Sequence, residues 1–275
     1  MNSQSELIIE AGRSERHYWR DIWRYRELFY FLAWRDILVR YKQTAIGIAW
    51  ALIRPFLTMV VFTVIFGEIA QLPADGTPYP ILVFAAMLPW QFFANSLTEC
   101  SNSLISNSNL ISKIYFPRLI VPSSAVVVSF VDFLISGAIL LTLMIWYDFV
   151  PSWRILTLPL WTAIAIAASL GVGLWLATLN VQYRDFRYIV PFIVQFGLYI
   201  SPVGFSSNIV PAKWQLLYSL NPMVGVIDGF RWAIIGSKSQ LYIPGFLLSL
   251  SLVVLLLFSG IWFFRRMERT FADVI

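Results

Sequence analysis

Residues 243–264 read IPGFLLSLSLVVLLLFSGIWFF, a stretch without a charged side chain that is followed directly by Arg265-Arg266. At about 1.5 Å of rise per residue, one helix over this stretch crosses the roughly 30 Å hydrocarbon layer of a bilayer. Five apolar runs of comparable length precede it. The six runs are Ile46–Glu68, Pro80–Leu104, Leu119–Tyr147, Ile155–Asn180, Ile189–Phe205 and Ile243–Phe264. The sequence therefore predicts an all-α integral membrane protein with six transmembrane helices.

The composition agrees with a lipid environment. Of 275 residues, 59% are apolar and 13% are charged, whereas about a quarter of the residues of a soluble domain carry charge. The single cysteine, Cys100, leaves no internal disulfide, and the single histidine, His17, argues against a His-rich metal site. We therefore expect neither a catalytic site nor a metal site on this chain.

The positive charges are unevenly distributed. Eight of the twenty Lys and Arg residues precede residue 45, and three more follow residue 264. Six spans place both termini on one side, and with that side cytoplasmic the inner segments hold sixteen cations against four outside. The net charge of +5 thus reflects membrane topology, and we expect no nucleic-acid partner. No removable signal peptide is expected either, because the first forty-five residues lack an apolar run with a small-residue cleavage site.

The first 45 residues are predicted to form a cytoplasmic amphipathic interface segment, followed by a six-span domain over residues 46–275. At about 100° per residue, four arginines share one face of a helix and four apolar or aromatic residues share the opposite face. The two sets are Arg13, Arg16, Arg20 and Arg24, and Tyr18, Ile22, Tyr25 and Phe29. Such a helix lies in the membrane interface, with cations toward lipid phosphates and rings toward acyl chains. It either anchors the chain alone or also holds a cytoplasmic partner at a fixed height.

Between the fifth and sixth runs, the segment Ser206–Leu241 contains two apolar stretches that are each too short to cross a bilayer. Asn221-Pro222 separates them, and proline disfavours helix in the residue before it. The pattern predicts a re-entrant helical hairpin that caps a pathway on the outer side. The alternative is an amphipathic pair of helices lying flat on the membrane surface.

Ionisable residues inside spans are functional candidates by default. Arg54 lies about two turns into the first span, at a depth compatible with Glu99 or Asp132. The favoured interpretation is a structural ion pair between Arg54 and one of these carboxylates. A proton relay is the alternative.

The chain lacks the sequence features of a nucleotide hydrolase. None of its four lysines lies in a Gly-rich phosphate loop, because they follow Tyr41, Ser112, Ala212 and Ser237. His17 is too far from the spans for a Ser–His dyad. Active transport by this chain would therefore draw its energy from another polypeptide or from an ion gradient.

An ordered series of short motifs resembles the membrane subunit of ABC-2 polysaccharide exporters nearly from end to end. In chain order they are Trp34-Arg35-Asp36, Arg40-Tyr41-Lys42-Gln43, Ile46-Gly47 with Trp50, Arg54-Pro55, Val64-Ile65-Phe66-Gly67, Tyr79-Pro80-Ile81-Leu82, Leu88-Pro89-Trp90-Gln91-Phe92-Phe93, Asn180-Val181-Gln182-Tyr183-Arg184-Asp185, Ser201-Pro202-Val203 and Asn221-Pro222.

The resemblance implies export of O-antigen, capsular polysaccharide or teichoic acid, usually on a polyprenyl carrier, across the bacterial cytoplasmic membrane. It also implies a homodimer with two copies of a separate ATPase, which binds the ATP and Mg²⁺ that this chain lacks. Two other functions stay open: ABC-2 export of a smaller lipid or drug, and an integral-membrane carbohydrate-modifying enzyme.

Two cytoplasmic loops could receive force from the ATPase. In the first, Ile105–Arg118, a short helix before Pro117 resembles the family's coupling helix, and the second is the turn Tyr183–Tyr188. The candidate contact residues are Ile111, Lys113, Ile114, Tyr115, Phe116, Arg184, Asp185 and Arg187. The alternative is that both are solvated basic loops that only obey the topology rule.

Aromatic faces suit a sugar-polymer pathway because sugar C–H groups stack on them without one fixed hydrogen-bond pattern. Helical spacing aligns two such stripes, one on the first span and one on the fifth. They consist of Met59, Phe62 and Phe66, and of Phe192, Phe196 and Tyr199. The prediction is that they line a channel; ordinary helix packing or lipid contact is the alternative for each ring.

Overall fold

The computed structural model describes residues 14–42, 47–74, 76–236 and 241–271, although the side chains of residues 14–17 and 47–48 are not described. Helices dominate these parts of the chain. They are α1 Ser14–Arg24, α2 Arg26–Lys42, α3 Gly47–Phe62, α4 Tyr79–Ser106, α5 Ser108–Lys113, α6 Ile120–Trp146, α7 Leu158–Gln182, α8 Phe186–Ile200, α9 Ala212–Tyr218, α10 Pro222–Ile235 and α11 Ile243–Met267. The all-α prediction is confirmed.

Five helical stretches are long and apolar enough to cross a membrane: α3 with the π-helical turns Thr63–Ile69 that extend it, α4, α6, α7 with the turn before it, and α11. They correspond to five of the six predicted spans. The remaining one, the fifth in chain order, was predicted over Ile189–Phe205 and is the shorter apolar helix α8 of 15 residues. Its length of about 22 Å falls short of the hydrocarbon thickness.

Helix α8 ends early because of the dipeptide Ser201-Pro202. Proline disfavours the helical conformation in the preceding residue, and Ser201 is extended, with φ −80° and ψ 151°. Residues 201–206 then continue without regular helix, although their side chains are mostly buried. A broken backbone at this depth requires hydrogen-bond donors from elsewhere in the protein.

Helix α4 forms the centre of the bundle. Every residue from Ile81 to Trp90 is buried, and the helix packs against α6, α7 and α10. A helix that is apolar and buried around its whole circumference belongs to the interior of a helical assembly. The remaining spans are arranged around it, and they present many apolar side chains on the outside.

Helices α7 and α11 cross in close backbone contact. A Cβ atom on Gly171 would lie 2.7 Å from the backbone nitrogen of Leu257, and one on Gly260 would lie 2.5 Å from the carbonyl oxygen of Gly171. Small residues permit this approach between membrane helices. The last span is thereby held tightly to the fourth long helix.

The predicted re-entrant hairpin consists of α9, α10 and the turn between them. Asn221 caps α10 by accepting a hydrogen bond from the Met223 N–H at 3.0 Å, and Pro222 occupies the first helical position. The turn lies inside the bundle, because the Ser249 hydroxyl donates to the Ser219 carbonyl at 2.8 Å and Ser249 is about 9 Å along α11 from its first residue. Helix α10 is almost wholly buried. Helix α10 therefore does not lie flat on the surface, whereas most side chains of α9 are exposed.

The N-terminal arm forms two helices, α1 and α2, with a break at Tyr25. Its predicted apolar face packs against the protein's own buried residues: Tyr18 is buried, and Ile22, Tyr25 and Phe29 are partly buried. The prediction that this face meets acyl chains is wrong for Tyr18, because the ends of the spans cover its ring. Other rings on the arm, including Trp19 and Trp23, are exposed beside Arg20 and Arg24. Arg13, the Arg16 side chain and the predicted domain boundary at residues 45–46 lie outside the described parts.

The first and last described helices meet at one end of the bundle. The Tyr18 hydroxyl of α1 donates to the Glu268 carboxylate, which follows α11, at 2.8 Å. This end, named the α1 end, also contains α5 and the junction between α7 and α8. The opposite end, named the hairpin end, contains the start of α4, residues 201–206 and the hairpin α9–α10.

Candidate functional site

The structure brings the two predicted coupling loops together at the α1 end. The Asn180 side chain, near the end of α7, donates from Nδ2 to the Ser101 carbonyl of α4 at 2.9 Å and to the Asn102 side chain at 3.1 Å. The loops that follow α4 and α7 therefore leave the bundle side by side.

The first loop contains the predicted short helix, which is α5. Its predicted contact residues divide into two groups. Ile111 and Phe116 are buried in the apolar cluster of the α1 end, whereas Lys113, Ile114 and Tyr115 are exposed. The buried pair anchors the loop, and the other three are the members of this set that a partner could reach.

The second loop presents Arg184, Asp185 and Arg187, all exposed. These residues and Lys113, Ile114 and Tyr115 are the six exposed residues among the predicted contact residues of the two loops, and they are named the coupling surface below. The surface combines two apolar side chains with three cations and one carboxylate. Such a mixture is typical of a protein docking site with an apolar centre and a charged rim.

The carboxylates predicted to pair with Arg54 pair with Arg40 instead. The Arg40 guanidinium lies 2.5 Å from Glu99 Oε1 and 2.6 Å from Asp132 Oδ2, whereas Arg54 is exposed. Depth explains the difference. Glu99 is twenty residues after Tyr79, about 30 Å along α4, so it lies where the apolar layer ends and where the last turn of α2 approaches the bundle.

Tyr41, the neighbour of Arg40, also donates a hydrogen bond to Asp132. Burial raises the pKa of the Tyr41 phenol, and the Asp132 carboxylate raises it further. The hydroxyl is therefore the neutral donor at physiological pH. Arg40 and Tyr41 together fasten the end of α2 to α4 and α6.

At the hairpin end, Arg231 of α10 is a buried cation, whereas the positive-inside rule treats it only as one of the four outer charges. Its guanidinium donates to the carbonyls of Leu82, Phe205 and Val203 at 3.2, 2.6 and 3.0 Å. Two of these carbonyls belong to the non-helical segment after α8. Arg231 thus supplies the donors that the interrupted fifth apolar helix requires.

The two aromatic stripes differ in exposure. Met59 and Phe62 are buried, and Phe66 is half-buried, with its ring near Gly204. Within this chain, the side chains of Met59 and Phe62 are therefore packed against other residues and do not face an open pathway.

The fifth-helix stripe is open. Phe192, Phe196 and Tyr199 are exposed, and the first two rings stand 4.2 Å apart between centroids. Their role as a channel lining stays a prediction.

The described residues contain no group of three or more His, Cys, Asp or Glu that could hold a metal ion. The geometry is that of a multi-pass helical membrane protein with a re-entrant hairpin at one end and two adjoining loops at the other.

Comparison with known proteins agrees with this class. Residues 27–235 match the ABC-2 type transporter family. An O-antigen export system permease protein RfbA of Klebsiella pneumoniae is 26% identical over 251 residues, which cover 88% of this chain and 92% of the relative. The protein of the same name from Myxococcus xanthus is 26% identical over 214 residues, with 77% and 82% covered. The polysialic acid transport protein KpsM of Escherichia coli is 23% identical over 240 residues, with 85% and 91% covered.

The match spans well over half of the chain, so the chain belongs to the ABC-2 type transporter family and forms a transporter membrane domain. The resemblance found in the sequence motifs is confirmed.

Proposed function

We propose that this chain is the transmembrane subunit of an ATP-driven exporter that moves a polysaccharide carried on a polyprenyl lipid across the bacterial cytoplasmic membrane. The main support is its similarity, over most of its length, to relatives named for O-antigen export and polysialic acid transport. A homodimer binds two copies of a separate ATPase, which holds the ATP and Mg²⁺.

The α1 end is the cytoplasmic end in this proposal. Both described chain ends lie there, next to the coupling surface, and the positive-inside rule favours cytoplasmic placement of the arginine-rich tails. The ATPase docks on the coupling surface, with Tyr115 as the largest exposed apolar contact. The hairpin then caps the pathway on the outer side.

The exposed rings Phe192, Phe196 and Tyr199 line the pathway between two facing copies of the chain. They supply weak, repeated stacking surfaces on which a sugar polymer can slide. Phe62 and Phe66 lie beside Gly204, in the segment that follows α8.

The test is co-expression with an ABC ATPase, followed by measurement of ATP hydrolysis with and without lipid-linked glycan and of polymer display on the cell surface. We expect Tyr115→Ala to abolish ATPase co-purification or to uncouple hydrolysis from export. Phe116→Ala is unsuitable for this purpose, because Phe116 is buried and its truncation would disturb folding. Tyr147→Ala, at an exposed tyrosine of the hairpin end, is the matched control and should leave both activities unchanged.

Three results would contradict the proposal. They are nucleotide hydrolysis by the purified chain alone, tails mapped to opposite membrane faces, and normal export by Tyr115→Ala. If a small lipid or drug stimulates ATP hydrolysis and lipid-linked glycan does not, the exported substrate is a small molecule rather than a polysaccharide, and the family assignment stands.

A further inference from the structure

A partly buried hydrogen-bond network joins three distant parts of the sequence at the α1 end. Its centre is Glu268, in the turn that follows α11. One carboxylate oxygen accepts from the Tyr18 hydroxyl of α1 at 2.8 Å, and the other accepts from the Arg118 backbone N–H at 2.6 Å. The Arg118 guanidinium in turn donates to the Glu268 backbone carbonyl.

Through Arg118, this network contacts the junction between the first coupling loop and α6. Arg118 is the last residue of the first coupling loop, and α6 begins two residues later at Ile120. The Glu268 carboxylate therefore accepts from an N–H at the very start of α6, where a negative charge is favourable. Glu268, which follows the last span, is therefore the anion that holds the junction between the first coupling loop and α6.

Tyr18 makes two contacts, one through its hydroxyl and one through a face of its ring. Its hydroxyl serves Glu268, and the Arg265 guanidinium lies over the ring face at 4.4 Å. Burial raises the pKa of the Tyr18 phenol, and the nearby carboxylate adds to the effect. The phenol therefore remains a hydrogen-bond donor, and α1 stays attached to the end of α11.

We propose that Glu268 is a positioning residue for coupling: through Tyr18 and Arg118 it joins the coupling loop to α1 and α11, so that movement of α5 is passed to the first and last helices of the chain. The inference rests on the proposed function. It adds that force from the ATPase reaches the spans through this carboxylate as well as along the backbone of α4 and α6.

The test uses the complex of this chain with its ATPase and measures polymer exported per ATP hydrolysed, together with membrane abundance and thermal unfolding midpoint. Tyr18→Phe removes only the hydroxyl, and Glu268→Gln leaves one acceptor oxygen where there were two. For both we expect nearly normal abundance and ATPase binding, with export per ATP lowered about fivefold or more, the lower end of the usual coupling energies between sites.

A double variant distinguishes a shared link from two independent defects. Tyr18→Phe with Glu268→Gln should be little worse than the more severe single variant, because both substitutions interrupt one connection. Tyr25→Phe is the matched control, since Tyr25 is a partly buried tyrosine of the same arm with no side-chain hydrogen bond among the described residues; it should behave as the unmodified chain.

Two outcomes would overturn the inference: unchanged export per ATP in both single variants, or a fall in abundance and unfolding midpoint with unchanged export per ATP of the remaining complex. If the unmodified complex exports no polysaccharide, the proposed function fails first. The two failures are therefore distinguishable.

Discussion

At the hairpin end a buried guanidinium serves three backbone carbonyls, whereas at the α1 end cations meet carboxylates that water partly reaches. The side chains of Arg40 and Glu99 are 32% and 44% exposed, but Arg231 is only 2% exposed. Both arrangements fasten a short helix to the central helix α4. They differ in what their loss would leave. At the hairpin end it would leave backbone carbonyls without donors, and at the α1 end it would separate partly exposed charges, of which the Asp132 side chain is 16% exposed.

At the hairpin end, the fold depends on a single side chain. Carbonyls that have lost their helical partners in an apolar environment cannot turn to water. Arg231 itself is balanced by Asp228, a buried carboxylate one turn earlier on α10 that interacts with it electrostatically. A half-exposed ion pair, in contrast, contributes little to stability because water and salt compete for both partners.

The largest effect is expected from Arg231→Met. The change leaves the carbonyls of Val203 and Phe205 without their donor and Asp228 without its cation, at a cost of about 3 to 5 kcal/mol, typical of breaking a buried pair. The measurement is the amount of folded protein extracted from membranes and its thermal unfolding midpoint. Lys213→Met, at an exposed cation of the same end, should stay within about 0.5 kcal/mol. Equal stability of the two variants would remove the distinction between the ends.

A smaller loss is expected from Arg40→Gln, about 1 to 2 kcal/mol, between the values for exposed and buried ion pairs. High salt should shrink this loss, because it screens partly exposed charges, but should leave the effect of Arg231→Met unchanged. The unfolding midpoint at low and at about 1 M salt, where the Debye length is about 3 Å, measures both. Arg54→Gln is the control, and a loss there as large as at Arg40 would favour the pairing that the sequence suggested.

The features that the sequence predicted depend on local signals. The Asn221-Pro222 break and five of the six apolar runs are local features, and the structure has helices and a turn where the sequence placed them. The early end of α8 also had a local signal, because Pro202 disfavours helix at Ser201, although Pro55, Pro89 and Pro191 lie inside helices. The length of the apolar run, taken alone, predicted a longer helix.

The features that the sequence missed depend on tertiary packing. Arg40 was assigned to a cytoplasmic tail, and no local pattern places the end of α2 beside Asp132. Arg231 offered one usable signal, a charge inside the otherwise apolar stretch Met223–Ile235 with Asp228 one turn away. Glu268 offered none, since its partners are 150 and 250 residues distant in the chain.

The smallest effect is expected at the tip of the hairpin. Asn221→Ala removes the side chain that caps α10 and that donates from Nδ2 to the Ser201 hydroxyl at 2.9 Å. We expect a loss of about 1 kcal/mol, the usual value of an N-cap, because Pro222 still excludes a continuous helix and Arg231 still holds α10. Asn208→Ala, at an exposed asparagine of the same end, should be neutral in the same unfolding measurement. If Asn221→Ala instead matched the loss of Arg231→Met, the turn rather than the guanidinium would hold the hairpin inside the bundle.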